Sequence, residues 1–231
     1  GATGILGLMQ FVKDKDYSLI RIDMTNSGDT TFDKERVVGY GTWFLYEGER
    51  NNFIKENYSE FIQHLCRDAI KNKKLDKTKL TYPQVFSEYG AVFVTLEKNG
   101  NLRGCIGSII AHRPLIDDII INAQNAAYSD PRFNPVDKSE IKDLSIAISL
   151  LSTPKPMKFK DEEDLLNQIR KDIDGIIIRD GRYQAVYLPS VWEQLPDKKM
   201  FLNSLKVKAG MPADHFSNTF EAFRFETSYI K

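Results

Sequence analysis

Asn99-Gly100 sits between two apolar, β-branched runs, Ala91-Val92-Phe93-Val94-Thr95-Leu96 and Leu102 to Ile110. This dipeptide accepts positive φ at both positions, so it closes a two-residue turn whose twist matches the flanking strands. The pair is a β-hairpin, and the rest of the chain has to be arranged around an antiparallel ribbon. Its second strand carries Leu102-Arg103-Gly104-Cys105-Ile106-Gly107-Ser108. Side chains alternate along a strand, so Arg103 and Cys105 are expected on one face, where a guanidinium would favour the thiolate. Gly104 and Gly107 remove side-chain bulk where another backbone or a ligand can approach.

Other elements follow from periodicity. Tyr17 to Asp23 alternates as a strand, and Arg36 to Tyr46 reads as a second, well-buried strand. Ile5 to Val12 is a short apolar segment of helical character, and two strands with one helix are too little for an independent core. Residues 1–48 are therefore expected to pack on something else, within the chain or beyond it. Glu47 to Asn52 is the linker candidate, which divides the chain into 1–48 and 52–231. A helix is expected from about Ser59, with Phe61, Ile62, Leu65, Cys66, Ala69 and Ile70 on one face and basic residues from Lys71 to Lys74 at its end.

A second helix runs from Pro114 to Tyr128 and stops before Ser129-Asp130-Pro131-Arg132-Phe133-Asn134-Pro135. Leu144 to Leu150 alternates strictly, as a half-buried strand does. Glu162 to Lys171 is helical, Gly175–Asp180 and Tyr183–Leu188 form a hairpin around Gly181-Arg182, Phe201 to Ala209 is a helix closed by Gly210, and Thr219 to Thr227 is a final strand. Hairpins mixed with helices argue an α+β fold with a largely antiparallel sheet.

Composition narrows the function classes. Thirty-two basic and 32 acidic residues balance, so bulk charge points to neither nucleic acid nor a membrane surface. The lysines at 71–79 lack interleaved aromatics and read as a solvated helix end. No apolar run approaches the roughly 18 residues of a membrane span. Cys66 and Cys105 make no disulfide framework, which fits a reducing, cytoplasmic setting. The chain starts at Gly1-Ala2 without an initiator Met and reads as a fragment or processed piece.

The runs FVTLEKNGNLRGCIGS, NAQNAAYSDPRF, LSIAISLLSTP, GRYQAVYLPSVWEQ and FLNSLKVKAG, in that order, resemble the AMMECR-type domain family over residues 55–227. The resemblance implies an α+β fold in two lobes with a cleft that the LRGCIG strand lines. That family's biochemical function is not settled, so the likeness brings architecture more than chemistry. Residues 1–46 resemble the C-terminal end of a Memo-type protein, itself similar to class III extradiol dioxygenases. The matching pieces are Gly1-Ala2-Thr3-Gly4-Ile5, the NSGD loop at 26–29 and Val37-Val38-Gly39-Tyr40. The Cys of the Cys-Gly element found there in Memo-like proteins would fall just before Gly1, and the upstream histidine ligands are absent too. The two likenesses together imply a piece of a Memo–AMMECR fusion, with Memo-type and radical-SAM proteins as partners in a modification pathway.

Each candidate site residue has two readings. Cys105 is a nucleophile, redox thiol or metal ligand, or a small apolar filler beside a tight glycine approach. Arg103 holds an anionic substrate by a forked hydrogen-bond pair, or makes a structural salt bridge. Asp130 and Arg132 bring a carboxylate and a second guanidinium to the cleft, or close the turn after the helix. The three histidines, His64, His112 and His215, form no ligand spacing, so no metal or cofactor is implied. Gly104 and Gly107 make no phosphate loop, since no Lys-Ser/Thr or strand-to-helix turn follows. The expectation is a cleft of Arg103, Gly104, Cys105, Gly107, Asp130 and Arg132 that takes a small polar or anionic molecule, with thiol chemistry at Cys105. The alternative is a non-enzymatic module that recognises a protein segment or nucleotide, with Cys105 structural.

Overall fold

Asn99 and Gly100 both take positive φ, +52° and +77°, as a primed two-residue turn requires. The hairpin they close forms one end of the largest of three antiparallel sheets in the computed structural model, which describes residues 2–13, 15–31, 35, 37–73, 75 and 79–231. Gly1, Arg36 and Lys74, which open a motif, open a strand and end a helix in the sequence reading, lie outside the described residues.

The chain opens with helix α1 (Ala2–Val12), strand β1 (Tyr17–Asn26), the single turn α2 (Gly28–Thr31) and strand β2 (Gly39–Glu47). It continues through the long helix α3 (Arg50–Lys71), β3 (Tyr89–Lys98), β4 (Asn101–Gly107), the two-residue β5 (Arg113–Pro114) and helix α4 (Leu115–Tyr128). Then come β6 (Leu144–Leu151), β7 (Lys155–Pro156), α5 (Glu162–Gln168), β8 (Gly175–Asp180), β9 (Tyr183–Tyr187), α6 (Lys198–Lys208), β10 (Glu221–Phe225) and β11 (Thr227–Ile230). The expected α+β class with antiparallel sheets holds.

Lobe one is the sheet β11-β6-β3-β4 under helices α3 and α4, with β5 paired to the start of β3. Val92, Val94 and Leu96 of β3 and Ile146, Ile148 and Leu150 of β6 alternate onto the helical side, where Ile62, Leu65, Cys66, Ile119 and Ala123 meet them. Lobe two is the sheet β7-β10-β8-β9 packed on α5 and α6, with Ile176, Ile178, Trp192, Phe201 and Leu205 in its own core. Trp192 stacks on Phe201 at 3.7 Å between ring centroids. The lobes share an apolar seam of Ala91, Leu151, Ile177 and Phe225.

Two chain crossings join the lobes. The stretch read as one final strand, Thr219 to Thr227, is two: β10 belongs to lobe two and β11 to lobe one, divided at Glu226. Glu226 is paired there with Ser152, the first residue after β6: Ser152 N–H donates to Glu226 O at 2.9 Å, and Glu226 N–H to Ser152 Oγ at 2.9 Å.

Helix α3 begins at Arg50, so part of the expected linker is its first turn. The expected start near Ser59 corresponds to a break in this helix at Tyr58 (φ −135°, ψ 17°). Strands β1 and β2 form a two-stranded sheet of their own. Ile20 is fully buried in the core of lobe one, and Phe44 and Tyr46 meet Phe53 of α3 at 6.0 and 5.4 Å between rings. Strand β2 was expected to be well buried, yet Tyr40, Trp43 and Phe44 are exposed, as are Ile5, Leu6, Met9 and Phe11 of α1. Among the described residues, no helix is long and apolar enough to cross a membrane.

Candidate functional site

Strand β4 is the edge of its sheet, and Cys105 pairs there with Thr95 of β3. The two side chains face away from the helices. Thr95 Oγ1 donates to Cys105 Sγ at 3.3 Å. The half-buried thiol opens on a cavity of about 690 Å³ between the lobes. Lobe one contributes Thr95, Glu97, Ser149, Thr227 and Tyr229 to its wall, and lobe two contributes Asp172, Leu188, Pro189, Ser190, Trp192 and Glu193. Three carboxylates face this space, and among the described residues no arginine or lysine lines it. One of them, Glu97, accepts from Lys231 Nζ at 3.3 Å.

Asp130 and Arg132 hold the main chain of Cys105. Asp130, 4% exposed, accepts the Cys105 N–H on Oδ2 at 2.8 Å. Arg132 donates through Nε to Asp130 Oδ1 at 3.0 Å and through Nη2 to Asp130 Oδ2 at 2.7 Å and to the Cys105 carbonyl at 3.2 Å. The Arg132 hydrogen bond, more than any other contact, holds the Asp130 carboxyl far below the usual carboxylate range, and the Cys105 N–H adds to it. A carboxylate held ionised so firmly is an anchor and a poor proton acceptor. Arg132 is held charged in turn, first by Asp130 and in part by the Cys105 side chain. The guanidinium beside the thiol is therefore that of Arg132.

Arg103 goes elsewhere. The register of β3 with β4 shifts between the pairs Leu96–Gly104 and Glu97–Leu102, which leaves Arg103 as an unpaired bulge residue. The simple alternation that put it beside Cys105 fails at this bulge. Its guanidinium donates to Glu140 Oε2 at 3.0 Å and to the carbonyls of Asn134 and Pro135 at 2.9 and 3.3 Å. It braces the loop after α4, and its hydrogen bond holds the Glu140 carboxyl low.

The two glycines accommodate protein. A Cβ on Gly104 would stand 2.0 Å from the Ala126 carbonyl oxygen of α4, and one on Gly107 would stand 2.3 Å from Phe93 Cγ. Gly104 thus lets α4 lie directly on the sheet, on the side opposite the cavity. His112 bonds its own loop, Nδ1 lying 3.0 Å from the Ile110 carbonyl, and does not line the cavity. Among the described residues, no group of three or more His, Cys, Asp or Glu is placed to hold a metal ion.

Six motif residues thus divide. Cys105 faces the cavity, Asp130 and Arg132 fix its main chain, and Arg103, Gly104 and Gly107 serve packing. The lobe-two wall was missed as a site, although Pro189 to Glu193 lies within the run GRYQAVYLPSVWEQ. Only the folded chain brings that run across from Cys105.

Comparison with known proteins agrees with this architecture. A protein of Methanothermobacter thermautotrophicus is 42% identical over 135 residues, covering 58% of this chain and 70% of the relative. One of Saccharolobus islandicus is 36% identical over 172 residues, covering 72% and 75%. The crystal structure of an uncharacterized protein from Pyrococcus horikoshii is similar to this chain with a TM-score of 0.67 at 31% identity, over 74% of this chain and 89% of that one. Residues 63–230 match the family model described as AMMECR1. With its two-lobed fold and these relatives, the chain belongs to the AMMECR1 family.

Proposed function

We propose that the interlobe cleft binds a small polar molecule bearing positive charge and that the Cys105 thiol is the group it meets. One observation carries this reading: Cys105 opens on a cavity of about 690 Å³ whose charged lining is Glu97, Asp172 and Glu193. A cleft of one sign raises the local concentration of the opposite charge. The anionic half of the sequence expectation loses its support, because Arg103 is committed to Glu140 and Arg132 to Asp130. Asp130 and Arg132 are positioning residues here, since they grip the Cys105 backbone and leave the thiol free to face the ligand.

A second reading, a non-covalent binding module with a structural Cys105, draws on the hydroxyl of Thr95 that already partners the sulfur. Charge-paired thiol reagents separate the two. Labelling of Cys105 by 2-aminoethyl and 2-sulfonatoethyl methanethiosulfonate is followed by mass spectrometry, each rate normalised to the unfolded chain. The cationic reagent should react faster by roughly tenfold, the low end of what a charged cleft contributes. A faster anionic reagent would sink the charge assignment. Silence of Cys105 toward both would leave the non-covalent module.

The proposal extends to organisation. Residues 1–48 form a unit separate from 52–231, a Memo-like remnant, and the chain works beside Memo-type and radical-SAM proteins. What supports this is the resemblance of residues 1–46, together with a β1–β2 sheet that pairs with no other described strand and exposes Tyr40, Trp43 and Phe44, while Ile20 anchors it in the core of lobe one. Unchanged solubility and melting temperature after deletion of residues 1–50 would contradict a packing role for this unit.

A further inference from the structure

Helix α3 opens onto another cavity, of about 290 Å³, which shares no lining residue with the interlobe cleft. Its walls come from the β1 strand (Ser18, Leu19), the start of α3, and the crossing between the lobes (Leu151–Thr153). Asn51 is 5% exposed and lines this cavity, and its carboxamide has no hydrogen-bond partner among the described residues. A side chain so far removed from bulk water and without a protein partner leaves its amide to whatever fills the cavity, a ligand or water.

The other groups around it are mostly donors. The first α3 amides with a main-chain acceptor are those of Asn52 and Phe53, both to Glu49 O. The N–H groups of Arg50 and Asn51 have none among the described residues, and Glu49 provides no side-chain cap. Ser152 Oγ accepts the Glu226 N–H, which leaves its own hydrogen to donate. The charged residues that line it are Arg50 and Glu49, and Arg50 is paired with Glu88 at 3.2 Å. Glu49, the carboxylate that lines the cavity, is paired with Lys155 at 3.1 Å.

We infer that this cavity binds a small oxyanion, a phosphate group free or as a monoester, through the first-turn amides of Arg50 and Asn51, the Asn51 carboxamide and the Ser152 hydroxyl. A helix N-terminus favours negative charge, and unsatisfied amides supply the hydrogen bonds. The anion would tie the β1–β2 hairpin to the crossing between the lobes.

Isothermal titration of the full chain with inorganic phosphate and with ethyl phosphate, at fixed ionic strength in chloride, tests this. Cys105→Ser should bind phosphate as the unaltered chain does, which separates this site from the cleft. Asn51→Asp is nearly isosteric, and a carboxylate in a first helical turn is favourable, so the variant should melt no lower in chloride. It should lose phosphate affinity by at least about tenfold, because a carboxylate replaces a donor. Tighter binding of ethyl phosphate would identify a phosphorylated metabolite as the source, and equal binding would identify free phosphate. Absence of phosphate binding, or equal binding by Asn51→Asp, overturns the inference.

Discussion

Asp130 and Cys105 are joined through the main chain: the carboxylate accepts the Cys105 N–H at 2.8 Å and makes no contact that would take a proton from the thiol. The strand carrying the thiol is a sheet edge with no further strand beyond it among the described residues, so Asp130 and Arg132 stand in for a neighbour. They supply one acceptor to the Cys105 N–H and one donor to the Cys105 carbonyl.

Replacing Asp130 by Ala should therefore destabilise the fold, by about 1–3 kcal/mol for a buried N–H left without an acceptor. Asp130→Asn keeps an acceptor oxygen and should cost less. Urea unfolding of both variants checks the order. Equal losses would mean that the ion pair with Arg132, and not the hydrogen bond to Cys105, is what matters.

Gly100 lies in the β3–β4 turn and Gly104 lies beyond it in β4, and alanine should affect them differently. At Gly104 the added methyl would sit 2.0 Å from a backbone oxygen of α4, and the helix would have to lift. A loss of about 3 kcal/mol is expected, the upper end of overpacking costs. Gly100 has open space but φ +77°, so Gly100→Ala should cost about 1 kcal/mol in backbone strain. Thermal or urea unfolding distinguishes them.

The two cysteines should separate cleanly under alkylation. Burial pushes the Cys66 thiol up to about 12, and its side chain is fully enclosed between α3, α4 and the sheet. Iodoacetamide at neutral pH should label Cys105 in the folded protein and reach Cys66 only after denaturation. Mass spectrometry of the two peptides reads this directly, and simultaneous labelling on unfolding would show the cleft closed over Cys105.

Asp180 predicts acid sensitivity in lobe two. Hydroxyls of Ser217 and Thr219 and the ring of His215 converge on it at 2.6, 2.7 and 2.6 Å. These bonds, that of Ser217 foremost, lower its carboxyl from 3.8 to about 2. A carboxyl depressed in the folded state binds its proton less tightly there than in the unfolded chain. Its stabilisation is therefore complete above pH 3.8 and fades as pH falls toward about 2. Asp180→Asn should flatten the dependence of stability on pH across that window, as measured by urea unfolding at stepped pH.

Local patterns were legible where local physics decides. Asn99-Gly100 announced its turn and Pro114 and Asp130-Pro131 bracketed α4, whereas Leu144 to Leu150, read as half-buried, is a central strand with Ala147 buried on the second face as well. Arg103 was misread because a bulge is a property of two strands in register and leaves no mark on one of them. The split at Glu226 was invisible for a related reason: continuous strand-like sequence says nothing about which sheet each half joins. The cleft wall from Leu188 to Glu193 and the unpartnered Asn51 depend on segments far apart in the chain. Residues 1–48 were expected to pack on something else, and Ile20 enters the core of lobe one while much of α1 and β2 stays exposed.

The pairing of Ser152 with Glu226 has a consequence for synthesis. Strands β6 and β11 are neighbours in one sheet, yet the whole of lobe two is made between them. On the ribosome, lobe two can close on itself while β6 still presents a bare edge. Lobe one is completed only when Thr227–Ile230 emerge and dock beside residues made some eighty positions earlier. A nonsense or frameshift lesion in the codons for β11 would spare the younger lobe and strike the older one, leaving an unzipped β6 edge for chaperones or aggregation to find.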